Sequence, residues 1–198
     1  MYFSKKISQT ISDIMIDSEI VEPTKRDILI YCFEYIFDQI IYTTLFLVLG
    51  VMLKQIEISL LFLIMFYSLR SFGGGFHAST ETKCTILSFI VYLSVLLIAP
   101  IITYNHSSLW LTIFSLSIVG IIILSPIESA NKVISSHQKR KMKSKCTVCC
   151  IMLSILFILL YTKELQLYYG TMAICAILII ISMVLGFATN KLSHNKTN

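Results

Sequence analysis

Charged side chains are scarce in this sequence. Only 14% of its 198 residues are Asp, Glu, Lys or Arg, whereas 56% are apolar. A soluble domain carries about 25% charged residues, so this chain cannot cover a water-facing surface and a lipid bilayer suits it better. The apolar runs are continuous and lack the alternation of membrane-barrel strands. The sequence therefore predicts an all-α, polytopic integral membrane protein.

Several functional signatures are also missing. The N-terminal residues carry acids throughout, so no cleavable signal peptide is expected. The six cysteines lack the spacing of a disulfide framework, and the C-x-x-C formed by Cys146 and Cys149 has no second pair to complete a zinc site. We therefore expect no metal and no organic cofactor. The net charge of +5 sits in short segments beside apolar runs, which favours membrane orientation over nucleic-acid binding.

Hydropathy predicts one membrane domain over residues 1–198, with about six transmembrane helices. Residues 4–21 precede them as an amphipathic helix, which either lies on the membrane interface or packs on the protein. The predicted spans are residues 27–53, 56–69, 84–104, 109–124, 146–161 and 165–189. The second and fifth spans are short enough to be re-entrant.

Basic residues are distributed unevenly between the two predicted membrane sides. With six spans, both termini and the loops 70–83 and 125–145 share one side, which carries most of the Lys and Arg. The opposite side carries only Lys54 and Lys163. Because positive loops stay in the cytoplasm, the termini and both loops are predicted to be cytoplasmic.

The 70–83 loop differs in composition from the rest of the chain. Three consecutive glycines are followed by His77 and, seven residues later, Cys84. On one unbroken helix these two would lie about 10 Å apart, so a proton-sharing pair requires a break between them. A helix capped by Ser79 or Thr80 would place Cys84 in its first turns, where the helix dipole and Lys83 favour a thiolate. From the residues alone, a small apolar filler cysteine and a solvated histidine remain an alternative.

The order of residues in this loop resembles a known signature. A basic residue, Arg70, leads a glycine-rich turn, which is followed by His77 and then Cys84. This pattern is similar to that of the accessory gene regulator B family, the quorum-sensing membrane peptidases of Gram-positive bacteria. In that family the histidine and the cysteine at these positions are catalytic.

The second cytoplasmic loop strengthens the resemblance. The family has a proline, acidic residues and then Asn-Lys after its fourth hydrophobic segment, and Pro126, Glu128, Asn131 and Lys132 follow the same order here. Val133 stands where the family often has proline. The residues expected to support the site are Arg70, Gly73, Gly74, Gly75, Glu81, Asn131 and Lys132.

The resemblance implies a cysteine endopeptidase of the cell membrane. Cys84 would form a thioester with a small amphipathic propeptide similar to AgrD, and His77 would act as base and acid. An internal Cys or Ser of the propeptide would then close a thiolactone or lactone ring, giving an autoinducing peptide. Glu81 would orient His77 or simply be solvated. The basic run of residues 137–145 would attract an acidic tail of the propeptide or only fix the topology. The resemblance also implies a homodimer.

Two functions without covalent chemistry compete with this interpretation. A small transporter needs buried charges or broken helices near the midplane, but predicted spans three to six have no charged residue in their interiors. A membrane assembly or sensor protein would have no use for the spacing of His77 and Cys84.

Overall fold

The computed structural model describes residues 2–74, 81–102, 107–127 and 135–194. His77, Gly75, Asn131 and Lys132 lie outside these ranges. Over the described residues the regular structure is entirely helical, which confirms the predicted fold class. The helices are α1 (Tyr2–Asp17), α2 (Arg26–Met52), α3 (Ile56–Gly73), α4 (Glu81–Ile102), α5 (Ser107–Leu124), α6 (Ser136–Thr162) and α7 (Gln166–His194), and a 3-10 turn spans Pro23–Lys25.

Five of the described helices are long and apolar enough to cross a membrane. They contain the segments Pro23–Met52, Ile56–Gly73, Cys84–Ile101, Ser136–Thr162 and Gln166–Thr189. The predicted fourth span corresponds to the shorter apolar helix Ser108–Leu124. The chain is thus a multi-pass membrane protein, and α3 and α5, with 18 residues each, are the shortest of its described apolar helices.

Several helices extend beyond the predicted spans because helices continue where hydropathy stops. Helix α3 runs on to Gly73, and α6 begins at Ser136, so residues 136–145 of the predicted basic loop are helical. Ser135 caps α6 by accepting a hydrogen bond from the Gln138 N–H at 3.3 Å. Lys, Arg and Gln are good helix formers, so a capped polar segment extends the helix beyond its apolar part.

The chain divides into two compact units, Met1–Leu53 and Lys54–Asn198. In the first unit α1 packs on α2, and the buried positions of α1 are Ser4, Ser8 and Ser12. Ile14, an apolar residue of the same helix, is 59% exposed. Small side chains at every fourth position allow two helices to approach closely, which explains why serines rather than isoleucines are buried.

Helix α7 is central to the second unit. It contacts α3, α4, α5 and α6 and is the most buried of the five apolar spans. Aromatic side chains fill the core around it: Phe114 stacks on Phe157 at 4.0 Å between ring centroids, and the Tyr169 ring meets the edge of Phe157. The buried Tyr92 hydroxyl shares a 2.8 Å hydrogen bond with the Ser59 hydroxyl, which pairs α4 with α3. The Ser59–Tyr92 hydrogen bond thus joins the first turn of α3 to α4.

Candidate active site

Cys84 lies in the first turn of α4, which begins at Glu81. Its sulfur is half-buried and forms no disulfide, and its carbonyl accepts a 3.0 Å hydrogen bond from the Ser88 hydroxyl one turn later. The first backbone N–H groups of a helix have no intrahelical acceptors and carry a partial positive charge. A sulfur in this turn is therefore in a position that favours a negative charge.

Arg70 supplies a full positive charge beside this sulfur. It is in the last turn of α3, and its Nη2 lies 3.3 Å from Cys84 Sγ. Its guanidinium also lies over the Phe66 ring, with Cζ 5.1 Å from the ring centroid. Residues four apart share a helix face, so Phe66 restrains Arg70 from the preceding turn. A cation donating to a thiol at a helix N-terminus is an arrangement that stabilises a thiolate.

The glycine turn after α3 is held by the segment that follows α5. The Ile127 N–H donates to the Gly73 carbonyl at 2.9 Å, and Ile127 follows the cis peptide bond between Ser125 and Pro126. Gly74 has φ +75°, and a Cβ placed there would lie 2.5 Å from the Ile127 carbonyl oxygen. Glycine is required at position 74 both by its backbone conformation and by this close approach. The two loops singled out in the sequence thus meet at Gly73, Gly74 and Ile127.

The basic residues at the start of α6 lie near the same end of α3. Lys145 Nζ is 5.4 Å from the centroid of the Phe72 ring, next to Gly73. The preceding cations form an exposed surface on the first turns of α6: Lys139, Arg140, Lys141 and Lys143. A cation over an aromatic face contributes a modest attraction, which ties this positive surface to the end of α3.

A partly enclosed cavity of about 160 Å³ lies between α3, α4 and α7. Its lining is mostly apolar and includes Phe62, Leu87, Val91 and Leu178. Arg70 and Gly74 line it as well, so the cavity adjoins the Cys84 site. Among the residues with described placement, no three His, Cys, Asp or Glu side chains are grouped to hold a metal ion.

The structure therefore brings together four of the sequence-predicted site residues, namely Arg70, Gly73, Gly74 and Cys84. Glu81 is the first residue of α4. The predicted roles of His77, Gly75, Asn131 and Lys132 fall on residues that the structure does not describe.

The sequence analysis missed two residues of the site, Phe66 and Ile127. Phe66 carried a signal, its position one turn before Arg70, but the contact of Ile127 depends on the fold.

Comparison with known families supports the resemblance. A family model described as Accessory gene regulator B (AgrB) matches residues 4–188. The chain belongs to the AgrB family. AgrB-like protein 2 of Clostridium perfringens (strain 13 / Type A) is 25% identical over 198 residues, covering 93% of this chain and 86% of the relative. No solved structure gives a significant match.

AgrB membership gives the chain a role in accessory gene regulation. It implies an association with a propeptide substrate and with a membrane, and the long apolar helices agree with the second of these.

Proposed function

We propose that this AgrB protein is a membrane cysteine endopeptidase that cleaves a quorum-sensing propeptide and promotes its cyclisation. The observation that carries the proposal is the 3.3 Å contact between Arg70 Nη2 and Cys84 Sγ in the first turn of α4. A filler cysteine needs apolar neighbours only, whereas a nucleophile needs a stabilised negative charge. Cys84 has a guanidinium beside it and a helix N-terminus around it.

The first step is acyl transfer to sulfur. The Cys84 thiolate attacks a backbone carbonyl of the propeptide, and the carbon–nitrogen bond of that peptide breaks. His77, by its match to the family motif, takes the thiol proton and returns it to the leaving amine. The C-terminal fragment departs and the N-terminal part remains as a thioester on Cys84. The negative oxygen of the intermediate needs donors, and the backbone N–H groups in the first turn of α4 are candidates.

The second step frees the enzyme. A Cys or Ser side chain within the bound peptide attacks the thioester carbonyl, and the carbon–sulfur bond to Cys84 breaks. The proton of the attacking group ends on the Cys84 and His77 pair, which restores the starting state. The product is a thiolactone or a lactone ring. Water would hydrolyse the thioester, so a half-buried sulfur at a helix end suits this chemistry.

The propeptide would approach from the cytoplasm in this proposal. The count of Lys and Arg supports a cytoplasmic position for the glycine turn and the start of α6. The exposed cations of α6 then offer a docking surface for an acidic segment of the propeptide, with Lys145 placing that surface near Gly73. The expected homodimer stays a prediction.

Co-expression with a small AgrD-like precursor tests the activity. Cys84→Ser and His77→Ala should each abolish appearance of the cleaved precursor on an immunoblot, with the membrane protein level unchanged. Cys32→Ser, which alters an exposed cysteine on α2, is the matched control and should cleave normally. Normal cleavage by the Cys84→Ser variant would overturn the proposal.

A further inference from the structure

The cavity beside Cys84 has the size and lining of a side-chain pocket. Its volume is about 160 Å³, and an apolar cavity of about 150 Å³ in another protein holds one benzene molecule. Phe62, Leu87, Val91 and Leu178 give it apolar walls. A site of this size and polarity suits a single apolar side chain of leucine or phenylalanine size.

The cavity adjoins Cys84 through two of its lining residues, Arg70 and Ser88. Arg70 lines it and also donates to Cys84 Sγ. Ser88, another lining residue, is one turn beyond Cys84 on α4, about 6 Å along the helix axis. The Ser88 hydroxyl donates to the Cys84 carbonyl, so its hydrogen is engaged within the helix. A group attached to the sulfur therefore needs to reach only about one helical turn to enter the cavity.

We infer that this cavity is the specificity pocket for the residue whose carbonyl carbon becomes bonded to Cys84. The inference rests on the proposed function. The acyl residue is bonded to the sulfur from the end of the first step until the ring closes in the second, whereas the C-terminal fragment leaves in the first. A pocket that holds the acyl side chain keeps the thioester in place until the ring closes. The pocket therefore selects propeptides with Leu or Phe on the acyl side of the cleaved bond.

Acyl thioesters test the pocket without a propeptide. The probes are benzyl thioesters of acetyl-Gly-Ala, acetyl-Gly-Leu, acetyl-Gly-Phe and acetyl-Gly-Glu, added to the full chain purified in detergent. The Cys84 thiolate attacks the probe carbonyl and benzyl thiolate leaves, so the acyl group is transferred with no other reactant. Intact-protein mass spectrometry follows acylation, with Cys84→Ala as the blank. The Leu and Phe probes should react about tenfold faster than the Ala probe, and the Glu probe slowest.

Two serine changes with a matched control show whether the preference comes from this cavity. Ser88→Leu on α4 and Ser182→Leu on α7 each place a larger side chain at the lining. Ser94→Leu makes the same change on α4 away from the cavity, and Ser94, like Ser88, donates to the carbonyl four residues earlier. The ratio of Phe to Ala rates should fall towards one in both lining variants and stay at its original value in Ser94→Leu.

Each failure has a distinct meaning. If no probe acylates Cys84 above the blank, the proposed function fails. If Cys84 reacts at the same rate with all probes, or if the preference survives both lining changes, the pocket assignment is overturned while the assignment of Cys84 as nucleophile stands.

Val91→Ala covers the case in which the leucine variants do not fold. It widens the cavity, and it should raise the relative rate of a matching Trp probe; an unchanged Trp rate contradicts the assignment.

Discussion

Each of the two compact units is stabilised internally by its own kind of contact. In Met1–Leu53, serines are buried on α1, and Arg26 Nε forms a 2.7 Å ion pair with Asp13 at the surface. In Lys54–Asn198, stacked aromatic rings surround α7, and backbone meets backbone where Ile127 contacts Gly73. The side chains of the first contact can shift into solvent, whereas the backbone groups of the second have little freedom to move.

The backbone contact between Ile127 and Gly73 makes the end of α3, beside the Cys84 site, more rigid than the surface of the first unit. A nucleophile must be held within about an ångström of its productive position, because a larger displacement costs about a hundredfold in rate. The end of α3 meets this need through the hydrogen bond between Ile127 and Gly73 and through the contact of Arg70 with Cys84. Changes there should reduce activity far more than changes in the first unit.

Gly74→Ala should have the largest effect of the variants that keep Arg70 and Cys84. The new Cβ would meet the Ile127 carbonyl oxygen at 2.5 Å, with φ at +75°. We expect a loss of about 3 kcal/mol in the free energy of unfolding and about a hundredfold slower precursor cleavage. Thermal unfolding in detergent and cleavage in membranes measure the two. A variant as stable and active as the original chain would show that the turn can relax.

Gly120→Ala also replaces a glycine by alanine, but the atom that its new Cβ would meet belongs to a flexible side chain rather than to the backbone. Its Cβ would lie 2.2 Å from Ile180 Cδ1, the tip of a flexible side chain between α5 and α7. Rotation of Ile180 relieves this contact, so the cost should be about 1 kcal/mol and cleavage should remain near normal. The same two assays apply. A loss as large as that of Gly74→Ala would remove the contrast between backbone and side-chain contacts.

Asp13→Asn should have the smallest effect. The hydrogen bond from Arg26 holds the pKa of the exposed Asp13 carboxyl below its ordinary value of 3.8. The contribution of this pair is therefore present above that value and is lost as the pH falls through it and below. The difference in melting temperature between the original chain and Asp13→Asn should be small at pH 7 and should shrink as the pH falls below 3.8. A difference that grew on acidification would contradict the assigned direction of the pKa shift.

The sequence predicted those features that follow from local composition. Continuous apolar runs predicted the membrane helices, and three consecutive glycines predicted the turn after Arg70. The extension of α6 back to Ser136 was missed because hydropathy does not report on a capped polar helix. The contact of Arg70 with Cys84 could not be derived, since 14 residues separate them and only the packing of α3 against α4 brings them together. The burial of serines on α1 likewise depends on its packing partner.

Alkylation of Cys84 by iodoacetamide at neutral pH tests the central claim, that Arg70 keeps this sulfur reactive. Three forms of the full chain in detergent are alkylated: the original, Arg70→Gln and Arg70→Lys. Peptide mass spectrometry follows each cysteine, and the exposed Cys32 is the internal control. Arg70→Gln should slow the alkylation of Cys84 about tenfold without changing the alkylation rate of Cys32. Arg70→Lys should retain part of the original alkylation rate of Cys84. Equal alkylation of Cys84 in the original chain and in Arg70→Gln would contradict the account.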